Sequence, residues 1–85
     1  MKVLIPSSLL SYTKRMWVDA DGATLDALLR DLDRQYPGLR FRMVDEQDRL
    51  RPHMRVFIDA QPVHDLARPL DPAVPVHIVQ ALSGG

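Results

Sequence analysis

The clearest pattern in the chain is a helical repeat of apolar residues that begins after Thr24. Its members recur at spacings of three and four and so share one face of an α-helix: Leu25, Leu28, Leu29, Leu32 and Tyr36. Thr24 suits the N-cap position, and Asp26 in the first turn complements the positive end of the helix dipole. Because Pro37 disfavours helical backbone in the residue before it and Gly38 permits a reversal, we expect the helix to end at Tyr36.

Short apolar segments on both sides of this helix are typical of β-strands. Residues 2–6 form an apolar run stopped by a proline, and residues 15–19 are rich in β-forming side chains. We expect these two segments to pair as a hairpin. Residues 54–59 form a third strand, residues 61–63 a short fourth one after a tight turn, and residues 74–81 the last.

The segments between these elements are predicted to be connections. Residues 7–14 are mostly polar, and residues 39–52 are charged, with Phe41, Val44 and Leu50 as apolar anchors. The arginines of the second segment could suggest a phosphate-binding cluster. Interleaved acidic residues would cancel its local potential, so a solvated surface is the favoured interpretation.

The order of these elements predicts an α+β fold. With one main helix crossing between a hairpin and three later strands, we expect a mixed sheet of four to five strands wrapped on that helix, with the last strand central and parallel to the first. A chain of 85 residues has room for a single core. We therefore predict one domain at residues 1–81, followed by a flexible tail at residues 82–85.

The tail ends in two glycines, Gly84 and Gly85, and a free carboxylate. If an enzyme adenylates that carboxylate, the resulting anhydride is open to attack by sulfur or by an amine. Such a tail must pass through a narrow channel to reach ATP, and glycine leaves no side chain to collide with the wall. Chance, or processing of a longer precursor, could produce the same ending.

Composition excludes several other classes of protein. Eleven basic and eleven acidic residues give a net charge of zero, which disfavours nucleic-acid binding, and no cysteine is present for a disulfide, a thiolate zinc site or a thiol nucleophile. No apolar run is long enough to span a membrane, so we expect a cytoplasmic protein. The spacing of the three histidines, His53, His64 and His77, is not that of metal ligands. Ser83 has no evident histidine and acid pair that would activate it as a nucleophile. We expect no metal site and no catalytic residue.

The order of the elements and the ending together resemble the MoaD/ThiS family of ubiquitin-like sulfur carriers, which have the β-grasp fold. The resemblance covers nearly the whole chain and is carried by these segments: Lys2-Val3-Leu4-Ile5-Pro6, Ala23-Thr24-Leu25, Tyr36-Pro37-Gly38-Leu39, Val44-Asp45-Glu46, Val56-Phe57-Ile58-Asp59 and residues 76–85, ending in Ala81-Leu82-Ser83-Gly84-Gly85.

Three positions depart from the family pattern. Asp59-Ala60 stands where family members often have Asn-Gly, residues 71–75 replace a frequent Asp-Gly-Asp, and Gln80 replaces a frequent proline. Since two-residue hairpin turns favour glycine, we expect the loops at residues 59–60 and 71–75 to be built differently here.

The resemblance implies a carrier and not an enzyme. An E1-like enzyme of the MoeB/ThiF type would use ATP and Mg²⁺ to adenylate Gly85, and a sulfur donor such as a cysteine desulfurase or rhodanese would convert it to a thiocarboxylate. A sulfur-accepting enzyme of molybdopterin, thiamin, cysteine or metabolite biosynthesis would then take the sulfur. The chain itself would bind no cofactor, nucleic acid or membrane. The tail that enters each partner's active site would be Leu82, Ser83, Gly84 and Gly85.

Two other functions remain open from the sequence: a ubiquitin-like modifier joined to lysines through Gly85, and a plain interaction domain with an incidental tail. Leu82 is either an anchor in a partner's pocket or a tether.

Alternation along the strands predicts a docking surface. With Val56, Ile58, Val76 and Ile78 facing the helix, four other residues are assigned to the outer face or its edge: Phe57, Pro62, His77 and Val79. An exposed aromatic residue beside apolar neighbours and close to the tail is typical of a partner-binding patch. The alternative is that a loop or Trp17 covers Phe57.

Overall fold

The structure is a computed structural model that describes residues 1–81; the predicted tail at residues 82–85 lies outside the described residues. Five strands and three α-helices are present in this range, with a 3₁₀-helix at Ser7–Leu9. In chain order they are β1 Lys2–Leu4, α1 Leu10–Thr13, β2 Trp17–Asp19, α2 Leu25–Gln35, α3 Leu39–Met43, β3 Met54–Ile58, β4 Gln61–Val63 and β5 Val76–Gln80.

The five strands form one mixed sheet in the order β2-β1-β5-β3-β4. β1 pairs antiparallel with β2, which confirms the predicted hairpin pairing. β5 is central, parallel to β1 and antiparallel to β3, so the last strand lies where the sequence places it.

Helix α2 packs its leucine face on this sheet. All four leucines of the repeat are fully buried, and Thr24 caps the helix by accepting a hydrogen bond from the Ala27 N–H to its Oγ1 at 3.2 Å. The helix ends at Gln35, and Gly38 takes a left-handed backbone with φ of 95°. The inward-facing side chains of β3 and β5 complete the core as predicted: Val56, Ile58, Val76 and Ile78.

The polar connection predicted at residues 7–14 joins β1 to β2, but it contains helical turns that were not predicted. They form the 3₁₀-helix and α1, which end at Lys14 in a left-handed conformation with φ of 64°. Leu9 and Thr13 are buried, and the Thr13 hydroxyl donates to the Arg15 carbonyl at 2.7 Å. Burial of these two side chains stabilises turns that are too short to show a helical repeat.

The charged connection predicted at residues 39–52 also contains a helix that was not predicted. Helix α3 buries Leu39 and Met43 completely, and Val44 then pairs with Leu50 in an isolated bridge. Val44 is buried and Leu50 packs against the core, but Phe41 is not an anchor because its side chain is 57% exposed.

The turn between β3 and β4 corrects a third expectation. Ile58 pairs with Gln61, so Asp59 and Ala60 form a two-residue loop, and both have positive φ, 52° and 63°. These φ values match the type I′ turn that the absence of glycine argued against. The sheet imposes the turn, and Ala60 adopts a conformation that alanine disfavours.

Replacing Ala60 with glycine is therefore expected to stabilise the protein. Glycine removes the left-handed penalty of about 1 kcal/mol, which corresponds to a melting temperature roughly 4–8 °C higher in a domain of this size. Thermal unfolding followed by circular dichroism measures the change. Ala67→Gly is the control, since Ala67 is also exposed but has no positive φ, and it is expected to lower stability slightly. An Ala60→Gly protein no more stable than the parent would contradict this account of the turn.

Candidate functional site at the root of the tail

The last described residues of the chain are held on both sides. β5 pairs with β1 through Val76 and His77 and with β3 up to Gln80, which lies opposite Met54. Beyond the strand, the Ala81 N–H donates to the His53 carbonyl at 2.7 Å. The Ser8 hydroxyl also donates to the side-chain carbonyl of Gln80. The backbone is therefore fixed up to Ala81, and the predicted tail residues Leu82, Ser83, Gly84 and Gly85 lie outside the described range.

The four predicted docking residues lie on one face of the sheet. Phe57 stands directly opposite His77 on β5 and opposite Pro62 on β4, while Val79 stands opposite Arg55. Pro62 is exposed, and the other three predicted residues are half-buried. The structure thus brings together the residues that strand alternation assigned to this face.

The same row continues across the first two strands, where the sequence analysis had not placed any docking residue. His77 pairs with Leu4 on β1, and Leu4 pairs with Trp17 on β2. The Trp17 and His77 rings meet edge to face with centroids 5.6 Å apart, and Trp17 remains 44% exposed. We call the six residues Leu4, Trp17, Phe57, Pro62, His77 and Val79 the sheet surface.

The sheet order argues against Trp17 as a cover for Phe57. Three strand spacings separate β2 from β3, or roughly 14 Å. Trp17 instead contacts His77. Only the strand register could reveal this alignment, because Trp17 and Phe57 are forty residues apart in the chain.

A shallow cleft connects the sheet surface to the root of the tail. It has a volume of about 280 Å³ and lies between Pro6 and Met16 on one side and Val79 and Gln80 on the other. Met16 is one of three large apolar side chains that are exposed in the described part of the chain, together with Trp17 and Phe41. The outer face is therefore largely apolar from β4 to the tail root, with His77 in the row and Arg55 opposite Val79 as its polar members.

Several ion pairs lie on the helices, away from the sheet surface. Hydrogen bonding to Arg30, together with Arg40 on α3, lowers the pKa of Asp26 on α2. Arg40 also pairs with Asp48, so one guanidinium joins α2, α3 and the following loop. The backbone N–H of Asp21 and the Arg34 side chain lower the pKa of Asp31. These ion pairs connect α2, α3 and the following loop, and none of them includes a residue of the sheet surface.

Within residues 1–81 no three histidine, cysteine, aspartate or glutamate side chains are grouped so that they could hold a metal ion. None of the helices in that range combines the length and the apolar character needed to cross a membrane.

Comparisons with known proteins agree with this geometry. The model of the ThiS family matches residues 3–85. Among solved structures, a chain in the BexX/CysO complex of Amycolatopsis orientalis is 26% identical with a TM-score of 0.89, and the match covers 99% of this chain and 98% of the other. CysO of Mycobacterium tuberculosis is 28% identical with a TM-score of 0.89, covering 95% of this chain and 98% of the other.

SAMP1 of Haloferax volcanii shares the fold at 23% identity with a TM-score of 0.78, covering 100% of this chain and 98% of the other. A search of curated proteins found no match. The predictions of a β-grasp fold and of the family are confirmed: the chain belongs to the ThiS family of ubiquitin-like sulfur carriers.

Proposed function

We propose that this protein carries sulfur as a thiocarboxylate on Gly85. The observation that carries the proposal is the placement of the tail root. The central strand β5 and the hydrogen bond from Ala81 to His53 hold it in one position, four residues before Gly85. A rigid body with a reactive end delivers that end into a partner's active site at little entropic cost.

The chemistry needs two steps, both in a partner enzyme. A Gly85 carboxylate oxygen attacks the α-phosphorus of ATP, and pyrophosphate leaves. Hydrosulfide, supplied by a sulfur donor, then attacks the acyl carbon and displaces AMP, which leaves the thiocarboxylate. Mg²⁺ and ATP belong to an E1-like enzyme of the MoeB/ThiF type, so this chain serves as a co-substrate and supplies no catalytic group.

The sheet surface is the proposed docking site for these partners. It presents Trp17, Phe57 and Pro62 in one row across the strands, and Val79 extends this surface along β5 towards the tail root. Aromatic side chains are enriched at protein interfaces. The complex of CysO with BexX supports the view that a carrier of this kind forms a defined complex with a partner protein. The similarity to CysO makes cysteine biosynthesis the first recipient pathway to test, ahead of molybdopterin, thiamin and metabolite biosynthesis.

Intact mass spectrometry tests the proposal. After incubation with the E1-like enzyme of the same organism, ATP, Mg²⁺ and sulfide, the mass is expected to rise by about 16 units, because sulfur replaces one oxygen. A reaction without ATP is the control. An unchanged mass would overturn the proposal, and attachment of the chain to lysines of other proteins would support a modifier instead.

A further inference from the structure

A second cleft lies at the tail root, on the helix side of the sheet. Its volume is about 360 Å³, and its lining includes Phe41, Arg42, Arg51 and His53 together with Ser8 and Gln80. Because side chains alternate along β5, Gln80 shares a face with the buried Ile78, whereas Val79 belongs to the sheet surface. The two clefts therefore meet at Gln80, at the end of β5: the first extends to Val79 on the sheet surface, and the second extends to Phe41 on α3.

Phe41 is exposed but firmly held. Its helix, α3, is anchored by the fully buried Leu39 and Met43, and its carbonyl accepts a hydrogen bond from Arg51 Nε at 2.8 Å. The Arg51 guanidinium carbon lies 4.6 Å from the centroid of the Phe41 ring, a cation–π contact. A rigid exposed aromatic ring beside an arginine has the character of residues that dominate binding energy at protein interfaces. We call Phe41, Arg42 and Arg51 the Phe41 surface.

The charge of the side chains that line this cleft is unbalanced in a chain that is neutral as a whole. Arg30, Arg34, Arg40 and Arg49 all pair with aspartates. Within residues 1–81 Arg42 and Arg51 form no ion pair, although the charge of Arg51 contributes to the lowered pKa of Asp45. No carboxylate side chain lines the cleft in the part of the chain that the structure describes. A complementary partner therefore carries acidic side chains around an apolar contact for Phe41.

The position of the Phe41 surface limits the partner to an enzyme that takes Gly85 into its active site. The four residues after Ala81 span at most about 14 Å when fully extended. An enzyme that takes Gly85 into a channel must bring the mouth of that channel within this distance of Ala81, and so against residues around the tail root. Nucleic acid is a poorer candidate, because the net charge is zero.

We propose that the Phe41 surface is a second docking surface, which contacts an acidic rim at the channel mouth of the enzyme that adenylates Gly85. This inference rests on the proposed function. With the sheet surface on the other side of β5, it would hold the tail root from both sides.

Adenylation kinetics test it. With the E1-like enzyme of the same organism and the carrier as the varied substrate, ATP–pyrophosphate exchange measures KM and kcat. Arg42→Glu and Phe41→Ala are each expected to raise KM about tenfold with little change in kcat. Raising the ionic strength is expected to raise the KM of the parent protein and to change that of Arg42→Glu much less.

Arg68→Glu is the matched control. Arg68 is exposed and forms no ion pair within residues 1–81, but it lies beside the start of α2, where its carbonyl accepts from the Leu25 N–H. Its KM and salt response are expected to equal those of the parent. Thermal unfolding checks each variant, and should Phe41→Ala fail to fold, Arg42→Glu decides alone.

Three results would overturn the inference. If Arg42→Glu had the KM and salt response of Arg68→Glu, the Phe41 surface would not contact the adenylating enzyme, and the proposed function would stand without this inference. If the Phe41 surface bound nucleic acid tightly and its variants had the same KM in adenylation as the parent protein, the surface would belong to a different ligand. A parent protein that the enzyme does not adenylate would refute the proposed function, and this inference would fail with it.

Discussion

Deletion of Gly84 and Gly85 is expected to abolish adenylation and sulfur loading. The shortened tail would end about 7 Å earlier, whereas a reacting carboxylate must approach its target to within about 3–3.5 Å. The new terminal carboxylate would also belong to Ser83, whose side chain occupies space that glycine leaves open. We expect kcat/KM in ATP–pyrophosphate exchange to fall at least ~10³-fold, and no gain in mass with sulfide.

The deletion should leave the fold intact, which separates loss of the reacting group from loss of structure. The last strand pairs and the bond from Ala81 to His53 all precede the removed residues. The melting temperature is therefore expected to match that of the full chain. Continued adenylation of the shortened protein at a similar rate would show that Gly85 is not the reacting residue.

Replacing Gly22 with alanine is expected to cause a large loss of stability, greater than that of alanine at Gly38. A Cβ atom at Gly22 would lie 2.3 Å from the Leu28 nitrogen and 2.7 Å from the Ala27 carbonyl carbon, both backbone atoms of α2. Backbone cannot move aside as a flexible side chain can, so α2 would have to shift from the sheet. We expect a cost of about 3 kcal/mol, measured by urea denaturation.

Gly38→Ala is the matched control for this substitution. Its Cβ would meet only the Tyr12 side chain at 3.5 Å, an ordinary contact, so the cost comes from the left-handed backbone alone. That penalty is about 1–2 kcal/mol. If Gly22→Ala cost no more than Gly38→Ala, the close approach of residue 22 to the helix would not be a constraint on the fold.

Local patterns predicted some elements well because their buried residues recur at the period of the helix or strand that contains them. The leucine repeat of α2 and the alternating buried residues of β3 and β5 are of this kind. Helix α3 was not predicted because it has five residues, of which only Leu39 and Met43 are buried. Two buried residues are too few to define a helical period. For the same reason Phe41 was placed inside, although α3 presents it to solvent.

The amino-acid sequence by itself determined the main helix, the order of the strands along the chain, the outward face of β3 and β5, and the Gly-Gly ending. Each of these depends on residues that are neighbours in the sequence. Only the tertiary structure decided the row from Trp17 to Pro62, the close packing of Gly22 on α2 and the pairing of Phe41 with Arg51. The row joins residues far apart in the chain. The contacts of Gly22 with α2 and of Phe41 with Arg51 are closer in sequence, but they too depend on strand register and helix position, which no local pattern encodes.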